Sequence, residues 1–150
     1  MKLSQPFGKN KFCGPTALSV LSGKSTDECA LLASDNGRPL KAMLVKQMVV
    51  SLNKLGIKFK WQRTHDTKYY TKFNRRHPYP TLKMWMDTCR KPSEMDEVFL
   101  VTLTSHFIIV KGDQVICSQT DRQWVPFSKY HKKASHVHNF FKILSEAESI

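Results

Sequence analysis

Asn10-Lys11-Phe12-Cys13-Gly14-Pro15-Thr16-Ala17-Leu18 is the stretch on which the reading of this chain turns. A structural cysteine usually lies inside an apolar run, as a small hydrophobe. Cys13 instead stands where a loop becomes a helix. Pro15 falls in the first turn, where its missing N–H costs nothing. Ala17, Leu18, Val20 and Leu21 then supply an apolar face, and Gly23 ends the helix. A helix N-terminus carries partial positive charge and free N–H groups, so it favours an anion. A thiol placed there is biased toward the thiolate, its nucleophilic form. The backbone N–H of Cys13 can donate to a carbonyl oxygen that turns negative as the carbon is attacked. Gly14 is expected to leave room for a substrate beside the thiol.

Outward from this stretch, Ser25 and Glu28 form a capping box for a short second helix reaching Ala33. Residues 35–39 are loop. Met43, Leu44, Met48, Leu52 and Leu55 recur near helical spacing, which predicts a third helix over 41–55, ended by Gly56. Residues 57–61 alternate apolar and basic side chains, as a half-exposed strand does. Residues 64–80 form a polar, basic and aromatic loop, and a fourth helix follows through Met86. The second half favours strands, over 98–102, 106–110, 115–118 and 136–143. Gly112-Asp113 makes a tight turn that sets Lys111 opposite Gln114. Helices first and antiparallel strands afterwards argue an α+β fold, with residues 1–150 forming one domain.

The composition is that of an ordinary globular chain: 150 residues, 41% hydrophobic and 24% charged. No apolar run approaches the roughly 20 residues that span a bilayer, and residues 1–6 lack the apolar core of a secretory signal. The expectation is a cytoplasmic protein without a membrane partner. Its four cysteines, Cys13, Cys29, Cys89 and Cys117, are then expected to be reduced. None has the spacing of a zinc knuckle, and no metal or other cofactor is expected. Lys and Arg number 24 against 12 Asp and Glu, a net charge of +12 that attracts acidic surfaces or nucleic acid. No helix-turn-helix, zinc-finger or RNA-recognition signature accompanies it, so nucleic acid is the less favoured partner.

A thiol nucleophile needs a base. Of the six histidines, His106 is best placed, at the start of an apolar hairpin strand. His65, His77 and His131 lie in basic loops. His136 and His138, two apart on a strand, read as an exposed pair.

Cys-Gly-Pro-Thr-Ala-Leu opening a helix, with Ser-His-Phe-Ile-Ile-Val and a short hairpin far downstream, resembles the papain-like cysteine peptidases. The branch it is most similar to is the small peptidases that process double-glycine leader peptides, together with their relatives in bacterial viruses. The resemblance implies a papain-like fold: an N-terminal helical lobe with the cysteine helix, packed on a C-terminal antiparallel sheet. It implies Cys13 as nucleophile and His106 as base, cleaving a peptide or amide bond in a peptide or protein substrate. For a viral member, the place of action would be the host cytoplasm. Two more family parts are implied. An oxyanion-hole glutamine precedes the cysteine, for which Gln5 and Asn10 are the candidates. An Asp or Asn follows the histidine to orient it, but hairpin alignment puts Cys117 there, and a thiol is a poor acceptor. If the strand runs on, Cys117, Gln119 and Asp121 share the His106 face, so Gln119 or Asp121 could hold the ring. Trp85 and Trp124 are candidate cleft walls. The missing Asp or Asn and the basic charge leave two other readings open. One is a catalytically weak papain-like effector that binds and inhibits a host protein. The other is a basic nucleic-acid-binding module on the same fold.

Overall fold

The computed structural model describes residues 2–64 and 79–144. The basic loop expected over 64–80, with His65 and His77, therefore lies almost wholly outside the described residues. Helix α1 (Cys13–Ser22) ends as its sequence dictates: Gly23 takes φ 76° and its N–H donates to the Ser19 carbonyl. Helix α2 (Thr26–Cys29) is capped by the Ser25 hydroxyl, which accepts the Glu28 N–H at 3.1 Å, but it makes one turn and does not continue as a helix to Ala33. Helix α3 (Val45–Lys54) begins four residues later than its periodicity suggests. The Gln47 side chain accepts the Leu44 N–H at 2.8 Å and so fixes the start there. Helix α4 (Leu82–Thr88) is capped by the Thr81 hydroxyl.

Six strands form one sheet: β1 (Phe59–Arg63), β2 (Val98–Leu103), β3 (His106–Lys111), β4 (Gln114–Ile116), β5 (Val125–Pro126) and β6 (Val137–Ile143). Their order is β1-β6-β2-β3-β4-β5 and every pairing is antiparallel. The protein is thus α+β. The hairpin register agrees with the turn chemistry: Lys111 pairs with Gln114 around Gly112, whose φ is 61°. Strand β1 starts at Phe59, two residues later than the alternation suggests, and β5 has no counterpart in the sequence reading.

Alternation divides the sheet into two buried faces. On one, Ala17, Leu18, Val20 and Leu21 of α1, with Met48 and Leu52 of α3, cover Leu100, Phe107, Ile109 and Phe141. On the other, Trp85 stands edge-on to Phe99 and Phe140, each with centroids 5.3 Å away, above Ile108, Val110 and Tyr130. Each such side chain contributes about 1.5–3 kcal/mol by leaving water. Trp85 is fully buried, so it is core and not a cleft wall. Among the described residues no helix is long and apolar enough to cross a membrane.

Candidate active site

Cys13 is the first residue of α1 and is half-buried. No side chain caps Phe12, so the first N–H groups of the helix are left without that acceptor. The loop before it is bound from two sides. From α2, the Asp27 carboxylate accepts the Lys9 N–H at 2.8 Å and the Asn10 N–H at 3.0 Å. From the turn after β4, the Arg122 guanidinium donates to the Gly8 carbonyl at 2.8 Å and to the Asn10 carbonyl at 2.6 Å. Inside the loop, the Asn10 side-chain oxygen accepts the Phe12 N–H at 3.0 Å. Gly8 has φ 118°, and a methyl group there would come within 2.5 Å of the Thr26 hydroxyl, so only glycine fits. Gly14 does not open space for a substrate. It is buried, and a methyl group on it would overlap the Met43 sulfur.

His106 opens β3 and is buried. Leu103 lies directly opposite it and packs in the Trp85 face. Directly paired residues share a face, so His106 starts toward that side, while Phe107 and Ile109 point to α1. Burial, with the positive field of Lys132 and then His131, pushes its pKa down to about 4 from an ordinary 6.5. The imidazole is therefore neutral at physiological pH. Its Nε2 is buried without a hydrogen-bond partner among the described residues.

Strand β4 is short, and this decides the rest of the site. On its β3 side it pairs only with residues 109–111. Cys117 then leaves the ladder: the Thr120 hydroxyl accepts the Cys117 N–H at 3.1 Å and lies 3.0 Å from the Cys117 carbonyl. The buried Cys117 sulfur is 3.4 Å from the Tyr130 hydroxyl. Burial raises the Cys117 thiol, against the hydrogen bonds from Tyr130 and the Gln119 and Thr120 backbone, which lower it. Burial likewise raises the Tyr130 phenol, with Cys117 and Cys13 contributing. No hydrogen bond among the described residues joins Cys13 to His106: Cys13 packs against the α1 cluster, and His106 starts toward the Trp85 face. Tyr130 meets Cys117, while Lys132 and His131 act on His106.

The strand on which the expected orienting residues depend does not run on. Because the chain turns at Cys117, neither Gln119 nor Asp121 is on a strand beside His106. The Gln119 side-chain oxygen is 3.0 Å from His131 Nε2. Asp121 is exposed in the turn at φ 53°. Of the two oxyanion candidates, the Gln5 amide nitrogen donates to the Arg122 carbonyl at 2.7 Å. Asn10 commits its oxygen to Phe12, which leaves its amide nitrogen as the candidate donor. Trp124 is half-buried and lines a separate cleft of about 420 Å³ with Lys2, Leu3, Lys111 and Gln114. His138 lies 2.9 Å from the Thr104 hydroxyl and stacks against Tyr79. His136 pairs with Thr81 in an isolated bridge outside β6. All four cysteines are free. Among the described residues no three His, Cys, Asp or Glu side chains gather as a metal site would require.

Sequence reasoning missed two parts. Tyr130 reads as an ordinary loop aromatic, and its pairing with Cys117 joins residues 13 positions apart across a turn. Arg122 lies more than a hundred residues from the loop it binds. The Asp-Arg pair before Gln123 carries no turn signal such as Asn-Gly that would have marked it. The chain matches no protein-family model, no curated protein and no solved structure.

Proposed function

We propose that the protein is a papain-like thiol hydrolase that cleaves a peptide or amide bond, with Cys13 as nucleophile and His106 as base. The observation that carries this reading is the confinement of Cys13. A half-exposed thiol heads a helix, and its preceding loop is held by side chains from two other elements. Preorganisation of that kind is what a nucleophile needs. In the reaction, the Cys13 sulfur attacks the carbonyl carbon, with the Cys13 N–H and the Asn10 amide stabilising the oxyanion. The base role rests on the resemblance alone: His106 would take the thiol proton and return it to the leaving amine as the C–N bond breaks. Water then hydrolyses the thioester and frees the thiol. The excess of basic residues suits an acidic peptide or protein substrate.

A second reading, a catalytically weak papain-like effector that binds a host protein, is favoured by one observation. Burial, then Lys132 and His131, disfavour a protonated His106, and a thiolate–imidazolium pair needs that protonated form. Alkylation by iodoacetamide, followed at each cysteine by mass spectrometry across pH, tests the first reading. Cys13 is expected to react near neutrality well ahead of Cys29 and Cys117, whose thiols burial raises. A Cys13 that alkylates no faster at pH 7 than a free peptide thiol removes the nucleophile, and with it the hydrolase.

A further inference from the structure

We infer that Arg122 is the positioning residue of this site, holding the Asn10 amide where the oxyanion forms. The inference rests on the thiol-hydrolase reading. Arg122 stands at the centre of three hydrogen bonds that join the turn after β4 to the loop before Cys13. Its two terminal nitrogens donate to the Gly8 and Asn10 carbonyls, and its own carbonyl accepts from the Gln5 side chain. A guanidinium holds two donors in a fixed planar fork toward two carbonyls two residues apart, where an ammonium offers a point charge on a flexible stem. The backbone supports the assignment independently. Asp121 and Arg122 take φ 53° and 58°, a left-handed pair without glycine. Such conformations are costly and persist where the surroundings over-determine them. Here the turned backbone aims the guanidinium back across the molecule.

The clamp reaches the chemistry through Asn10. Its N–H is held by Asp27, its carbonyl by Arg122 and its side-chain oxygen by the Phe12 N–H. With those three groups bound, its amide nitrogen has one direction left. Without Arg122, the carbonyl side of the loop is released, while Asp27 still holds the other. The fold and the thiol persist, and the oxyanion donor loses its place.

Two reagents separate positioning from simple stability. Acylation of Cys13 by p-nitrophenyl acetate passes through an oxyanion. Alkylation by iodoacetamide does not. Arg122→Ala is expected to slow acylation about tenfold or more, while alkylation changes less than about threefold. Arg122→Lys is expected to show a smaller loss of the same kind, acylation slowed more than alkylation, and it carries the test should the alanine variant not fold. Asn10→Ala is expected to show the same selective loss. In that background Arg122→Ala is expected to add little, since both act on one donor. Equal loss of acylation and alkylation, unchanged rates in both, or additive losses in the double variant would each overturn the role of Arg122. A wild-type Cys13 that acylates no faster than glutathione would instead overturn the hydrolase reading, and this claim with it.

Discussion

Replacing His106 by glutamine should remove most of the acid sensitivity that burial gives this fold. The histidine has a pKa of about 4 when folded against 6.5 as an ordinary group. The unfolded chain therefore binds a proton at this position before the folded chain does. Stability rises with pH wherever the unfolded state holds more protons. This contribution is therefore nearly constant above about pH 7 and is lost as pH falls through 6.5 toward 4. At about 1.36 kcal/mol per pH unit of separation, the full loss is about 3 kcal/mol, and about 2.5 kcal/mol has gone by pH 4.5. The groups that face His106 with charge are Lys132 and His131. Both oppose its protonation, so neither offsets the loss. Urea unfolding at about pH 7.5 and pH 4.5 measures it, with the variant cancelling the carboxylates that titrate in both proteins. The wild-type midpoint should fall by roughly 1 M more than that of His106→Gln, given an m-value of about 2 kcal/mol/M. Equal falls in the two proteins would mean that His106 is not held neutral in the folded state, and the electrostatics drawn around it would be wrong.

Gly14→Ala should lower stability by about 1–2 kcal/mol, because the added methyl overlaps Met43. Thermal unfolding reads the loss, and adding Met43→Ala should recover part of it. Tyr130→Phe removes the hydroxyl that meets the Cys117 sulfur at 3.4 Å and should cost about 1 kcal/mol in denaturant. A larger cost would mean that the phenol holds more of the site together than this bond. Neutralising Lys129, Lys132 and Lys133 together should slow association with a polyglutamate peptide and flatten its salt dependence. Stopped-flow rates at two ionic strengths give the answer.

The elements with local causes were legible in the sequence. Gly23 and Pro15 bracket α1, Ser25 caps α2, and Gly112-Asp113 sets the β3–β4 register. Each depends on residues within a few positions. What was not legible depends on competition between a ladder and a side chain. Strand β4 should continue by its own composition, yet the Thr120 hydroxyl takes over the backbone of Cys117 and ends it. That single turn takes Gln119 and Asp121 out of the ladder and sends Arg122 toward Gly8 and Asn10. Alternation alone does not foresee it. Gly14 was misread for a related reason. Its neighbour Met43 comes from the segment before α3, and nothing within a few residues of Gly14 announces it. The pairing of Cys13 with His106 is what the resemblance implies, while the neutral state of the histidine comes first from its burial and then from Lys132 and His131.

The most direct test of the account is to follow a single acetyl group on Cys13. Wild-type protein is treated with p-nitrophenyl acetate, freed of reagent, and sampled over time by intact-mass and peptide spectrometry beside His106→Ala. The account predicts a thioester on Cys13 alone that wild-type protein hydrolyses, with little acylation in His106→Ala and slow loss of any adduct that forms. Acetyl groups spread over lysines and all four cysteines, or a Cys13 adduct that forms and decays equally in both proteins, would contradict it.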